Sequence, residues 1–154
     1  MDAKSKAKGL FFDTSYLVRL YLEDEGFEKV RQLAASSPCL AASWHGQAET
    51  VAALHRAYRE GRFTQERYWT ALRQFELERN DAGFLWLPLT ADVHDRLTQA
   101  YRAAAPTTFL RAADALHLAC AASHGHHEVY SHDRQFLAAA PLFGLRGLDI
   151  LAAP

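Results

Sequence analysis

Short apolar runs alternate with segments of helical period along nearly the whole chain, and this alternation restricts the fold more than any single residue does. Residues 10–12, 39–42, 84–87, 128–130 and 145–148 read as strands, the last an edge strand. Between them, 15–22, 25–35, 43–60, 64–80, 90–104, 110–123 and 134–139 read as helices, with Ser43, Thr64 and Thr90 at their polar starts and Gly61 closing the third. Strands that each lead into a helix build a parallel sheet covered on both faces. The expected fold is an α/β/α sandwich around a central, mostly parallel sheet of four to five strands, with ligands gathering beyond the carboxyl ends of the strands. No internal repeat and no glycine-rich phosphate loop interrupts the pattern.

A chain of 154 residues is the size of one ordinary domain, and 1–154 is read as such, with 1–8 as a flexible basic N-terminus. The apolar stretch after it stops at Asp13, too short for a signal-peptide core or a membrane span. Cys39 and Cys120 stand far apart in apolar segments and read as buried thiols, not a disulfide framework, which fits a cytoplasmic protein. A net charge of −1 carries no general polyanion-binding footprint, so composition alone does not point to nucleic acid. Every basic residue after Lys29 is arginine, which suits planar phosphate contacts.

Four carboxylates stand where predicted strands end or helices begin. Asp13 directly follows a buried strand and points toward the ligand crevice, although an aspartate there also caps a helix. Asp114 lies on a largely apolar helix face where an unpaired charge is costly. Its partner is either Arg111, one turn earlier, or a shared cation. Glu49 lies about 120° around its helix from the stripe Trp44, Ala48, Val51, His55 and Tyr58, and taken alone reads as a solvated charge. Asp133 reads as a turn or cap residue, a role Ser131 fills equally well, while Ser15 either caps or orients Asp13.

Other residues carry bland readings. His124, His126 and His127 read as a solvated turn because they lack the spacing of helical zinc ligands. His117 and His55 read as packing residues, and Trp44, Trp69 and Trp86 as core. The haloacid-dehalogenase phosphatases and response-regulator receivers share a strand-then-aspartate opening. The phosphatases need a second aspartate where this chain has Ser15, and both families need a lysine downstream, where none follows Lys29.

Phe11-Phe12-Asp13-Thr14-Ser15, Ala48-Glu49, Arg111 with Ala112-Ala113-Asp114-Ala115-Leu116-His117, and Ser131-His132-Asp133-Arg134-Gln135-Phe136 together resemble the PIN-domain ribonucleases, particularly the VapC-type toxins. The acids are separated by 36 (13 to 49), 65 (49 to 114) and 19 (114 to 133) positions, over nearly the whole chain. The resemblance implies a PIN-like fold and a Mg²⁺- or Mn²⁺-dependent endoribonuclease, with Asp13, Glu49, Asp114 and Asp133 as catalytic and metal-holding residues. Hard carboxylate oxygens suit those ions, and four crowded carboxylates need a cation to stay ionised at low cost. Ser15 and Ser131 are expected to support the site, and Arg19, Arg111 and Arg134 to hold RNA phosphates. Implied partners are RNA, a cognate antitoxin and a second copy of the chain, with no membrane. The alternatives are an RNA-processing nuclease without an antitoxin and a non-catalytic interaction module.

Overall fold

A computed structural model of the protein describes residues 8–153. The expected flexible N-terminus lies outside the described residues except for Lys8, whose Nζ donates to the Gly125 carbonyl at 2.7 Å. Five strands are found among the described residues: β1 (Leu10–Phe11), β2 (Leu40–Ser43), β3 (Phe84–Leu87), β4 (Glu128–Tyr130) and β5 (Arg146–Leu148). The helices are α1 (Thr14–Leu17), α2 (Phe27–Ala35), α3 (Gly46–Arg59), α4 (Gln65–Glu78), α5 (Ala91–Ala103), α6 (Ala112–Ser123) and α7 (Arg134–Ala139). Short 3₁₀ turns follow α1 and α7.

All pairings are parallel. β1 pairs with β2, β2 with β3 and β4 with β5, and the bridge from Phe12 to Tyr130 joins the two groups in the order β3-β2-β1-β4-β5. A parallel sheet must be buried on both faces, and two adjacent residues show how this one is. Phe11 packs with Leu118, Val129 and Phe136, whereas Phe12 packs with Tyr16, Leu17 and Val30. Successive strand residues point to opposite faces, so β1 needs bulky apolar groups at both positions. Each contributes about 1.5–3 kcal/mol of burial. A third cluster joins Leu54 and Ala57 of α3 to Ala71 and Phe75 of α4 and to Tyr21.

Two expectations about the third helix are corrected. Ser43 is no cap: β2 runs one residue further, pairing Ser43 with Leu87, and α3 starts after His45 without a side-chain cap. The buried face of α3 is Gly46, Thr50, Leu54 and Ala57, not the stripe from Trp44 to Tyr58. Alanines occur on both faces, so apolar period does not discriminate between them. Thr50 can be buried because its hydroxyl donates to the Gly46 carbonyl at 2.7 Å. Trp44 is accordingly 59% exposed, and Trp69 on α4 54%. His126 is not a solvated turn residue either: it is buried edge-on to Phe11. No helix among the described residues is long and apolar enough to cross a membrane.

Candidate active site

The carboxyl end of β1 delivers Asp13, the N-cap of α1, into a largely buried position. Its Oδ1 accepts from Ser15 Oγ at 2.6 Å and the Tyr16 amide at 3.2 Å, and its Oδ2 accepts from Ser131 Oγ at 2.6 Å. Burial nevertheless raises its pKa above the ordinary value, outweighing those hydrogen bonds and the nearby His117. Among the described residues no basic side chain hydrogen-bonds this carboxylate.

Ser131 and Ser15 also tie down the end of β4. Ser131 Oγ accepts from the Asp133 amide, and Ser15 Oγ from the His132 amide, both at 2.9 Å. Asp133 caps α7 through Oδ1, which accepts from the amides of Gln135 and Phe136. Its Oδ2 faces Arg111, whose Nη2 donates at 2.5 Å while Nε donates to Asp114 Oδ2 at 2.9 Å. Arg111 thus clamps two of the predicted acids together. Burial still raises the Asp114 pKa, Arg111 pulling it the other way.

Glu49, in the first turn of α3, is no solvated charge. Its Oε1 accepts from Thr14 Oγ1 at 3.0 Å and lies 2.5 Å from His117 Nε2. The other His117 nitrogen, Nδ1, is 2.5 Å from Ser43 Oγ, so the fully enclosed imidazole links strand β2 to Glu49. His45 completes the group, its ring 4.0 Å from that of His117 and its Nε2 3.4 Å from Glu49 Oε1. Burial opposes ionisation of Glu49, but the bond from His117 and the charges of both histidines bring its pKa below the ordinary value. His45 is pushed down to about 4, first by burial and then by His117.

The structure therefore gathers Asp13, Glu49, Asp114 and Asp133 at strand ends and helix starts in two linked groups. One is built on Asp13, Ser15, Ser131 and the clamp of Arg111 on Asp114 and Asp133. The other is built on Glu49, His117, His45 and Thr14. Among the described residues the one set of three or more metal-competent ligand atoms within 4.8 Å of one another is His45, Glu49 and His117. The four acids alone are not drawn that close. The donor set fits a divalent cation: Asp13 is buried with no basic partner among the described residues, and Arg111 supplies one positive charge to two carboxylates.

Sequence reasoning missed His45, His117, Thr14 and Ser43. The signal was spacing: His117 lies three residues after Asp114 and His45 four before Glu49, so each shares a helical face with a predicted acid. Arg19 is corrected as a phosphate contact. It is buried, and its guanidinium donates to the carbonyls of Ser15 and Glu25. Arg134 is exposed beside Asp133.

A PIN domain family model matches residues 10–141. Among solved structures, VapC20 of Mycobacterium tuberculosis, described as a sarcin-ricin loop cleaving toxin, superposes with a TM-score of 0.65 at 23% identity, covering 85% of this chain and 95% of that one. VapBC2 from Rickettsia felis, solved bound to a DNA fragment from its promoter, gives a TM-score of 0.64 at 13% identity, covering 91% and 97%. At these identities the likeness establishes the fold. No curated protein matches the sequence significantly.

Proposed function

This chain belongs to the PIN-domain family, and from that premise we propose that it is a Mg²⁺- or Mn²⁺-dependent endoribonuclease, the toxin of a toxin–antitoxin pair. The observation that carries the reading is Asp13: a carboxylate buried at the carboxyl end of the central strand, given three hydrogen-bond donors and, among the described residues, no basic partner. Such a group is costly to fold around unless a cation joins it. Asp13, Asp114 and Asp133 would hold the ion directly or through water, and Glu49 would complete the cage or orient the attacking water.

A bound divalent ion supplies charge stabilisation on the phosphate oxygens and lowers the pKa of water. The chain's own residues do the rest. Ser15 and Ser131 fix both oxygens of Asp13, so that its orientation does not depend on the substrate. Thr14 and His117 hold Glu49 ionised at Oε1, which suits it to orient an incoming water or complete the ion's cage. Arg111 and Arg134 are the arginines to hold flanking phosphates in this reading, Arg111 donating from Nε and Nη2 to two carboxylate oxygens as it would to a phosphate. The cognate antitoxin, a homodimeric assembly and a cytoplasmic setting belong to the same proposal.

The test is cleavage of oligoribonucleotides by the full chain with Mg²⁺, with Mn²⁺ and with EDTA, alongside Asp13→Asn. Cleavage that needs the ion and disappears in the variant is the expected result. Cleavage indifferent to EDTA, or unchanged in Asp13→Asn, sinks the assignment. A short reading frame beside the gene that encodes a small DNA-binding protein separates a toxin from a nuclease serving RNA processing.

A further inference from the structure

Of the stripe that helical period marks as core, Trp44, Ala48 and His55 are exposed and Val51 and Tyr58 only partly buried, and nothing in the proposed chemistry uses it. It forms one wall of a groove of about 660 Å³ whose lining includes Trp44, His45, Val51, His55, Tyr68 and Arg79. None of its nine lining residues is acidic. That is notable in a chain of net charge −1 beside a cluster of carboxylates. The groove and the acid site share His45, whose Nε2 lies 3.4 Å from Glu49 Oε1.

We infer that this groove is the subsite for the single-stranded RNA flanking the cleaved bond, with bases stacked on Trp44 and Tyr68 and a phosphate held by Arg79. The inference rests on the endoribonuclease reading. The Trp44 amide donates to the Leu87 carbonyl at 2.9 Å, which fixes its backbone at the end of β2 and leaves the indole exposed. Tyr68 stacks on Tyr58 with centroids 5.1 Å apart and planes 7° from parallel, and His55 meets it edge-on. Arg79 is paired with no carboxylate among the described residues, and its carbonyl is fixed by the Trp86 indole N–H at 2.8 Å.

Aromatic faces interleaved with cationic side chains are how single strands are held without base readout. The other occupant to consider is a partner helix, which lays an apolar face into a hydrophobic groove. Val51 is the one aliphatic lining residue larger than alanine, so the groove is poor in aliphatic surface and rich in rings. RNA held over the acids has also to escape their repulsion, and this acid-free strip begins at the residue that touches Glu49.

The experiment is steady-state cleavage of a long and a very short single-stranded oligoribonucleotide in Mn²⁺ by wild type, Trp44→Ala, Trp44→Phe and Arg79→Gln. Binding of the long strand to Asp13→Asn and to Asp13→Asn/Trp44→Ala is followed in parallel by tryptophan fluorescence. The expected result is a KM for the long strand raised about 5- to 50-fold in Trp44→Ala. Its kcat stays unchanged, Trp44→Phe restores KM, and the short strand is cut as well as by wild type. Unchanged KM in Trp44→Ala while wild type still cuts RNA overturns the subsite and leaves the nuclease reading intact. Unchanged KM together with a dimer that dissociates in Trp44→Ala, read by light scattering, overturns it in favour of a protein contact. If wild type neither cuts nor binds RNA, the nuclease reading fails and the subsite with it.

Discussion

His117 Nε2 stands 2.5 Å from Glu49 Oε1, so the orientation of a carboxylate on α3 is set by an imidazole buried in α6. Ser43 fixes the far side of that imidazole at 2.5 Å. Outer residues that orient a ligand typically cost about 10–100-fold in activity when changed. We expect His117→Gln, which keeps much of the volume and one hydrogen bond, to lower kcat by that order while far-UV circular dichroism stays that of wild type. A variant that cuts RNA at the wild-type rate shows that Glu49 does not need this support.

Arg111 is the counterion that Asp114 and Asp133 share, and a divalent cation competes for the same role. The arginine side chain is 51% exposed, so the pair is screened and worth about 1 kcal/mol or less. Arg111→Gln is expected to be slightly less stable than wild type in EDTA, because two carboxylates are left facing one another. Saturating Mn²⁺ should then raise its melting temperature more than it raises that of wild type. Differential scanning fluorimetry decides this, and an equal rise in both proteins counts against an ion between these acids.

The parts of the fold bounded by strong punctuation were legible in the sequence. β3 ends at Leu87 because Pro88 cannot continue it, and Asp133 starts α7 by capping it, so 84–87, 128–130 and 134–139 agree with the structure. The acids were legible because each sits at such a boundary. Which face of α3 is buried was not, since alanine stands on both and a threonine can be buried once Gly46 accepts its hydroxyl. His117 read as packing for a related reason. An apolar helix face says that a residue is enclosed, and only tertiary contact shows that Glu49 and Ser43 enclose it. Sequence spacing also carries no distances, so it did not show Arg111 standing between Asp114 and Asp133.

Tyr16 fastens the C-terminal segment to the centre of the sheet. Its hydroxyl donates to Asp149 Oδ1 at 2.8 Å and accepts from the Ile150 amide at 2.9 Å, while the ring is fully buried against Phe12 and Tyr130. Tyr16→Phe removes a partner from both groups and is expected to cost about 1–3 kcal/mol. Urea unfolding gives the loss. Amide exchange at 149–151 should rise, and cleavage per folded molecule should hold, because the hydroxyl touches neither acid group.

Asp13 yields a pH prediction whose sign follows from its burial. The unfolded carboxyl titrates at its ordinary value of 3.8, and the folded one above it. Over the window from 3.8 upward the folded chain keeps a proton that the unfolded chain has released, so this group's contribution to stability falls as pH rises. Asp114 is raised by burial and acts in the same direction. Glu49 is lowered from 4.5 and acts oppositely, its contribution being lost as pH falls through the folded value. Asp13→Asn removes the most deeply buried carboxylate among the described residues while keeping its shape, and Ser131 Oγ can turn to accept from the new amide. In EDTA the variant should therefore melt higher than wild type at neutral pH, with the gap closing as pH falls toward 3.8. Mn²⁺ should reverse the order, because binding to the folded state stabilises the protein that retains the ligand. A wild type that in EDTA equals the variant at neutral pH shows that the buried carboxylate is already compensated within the chain, and the case for a cation at Asp13 goes with it.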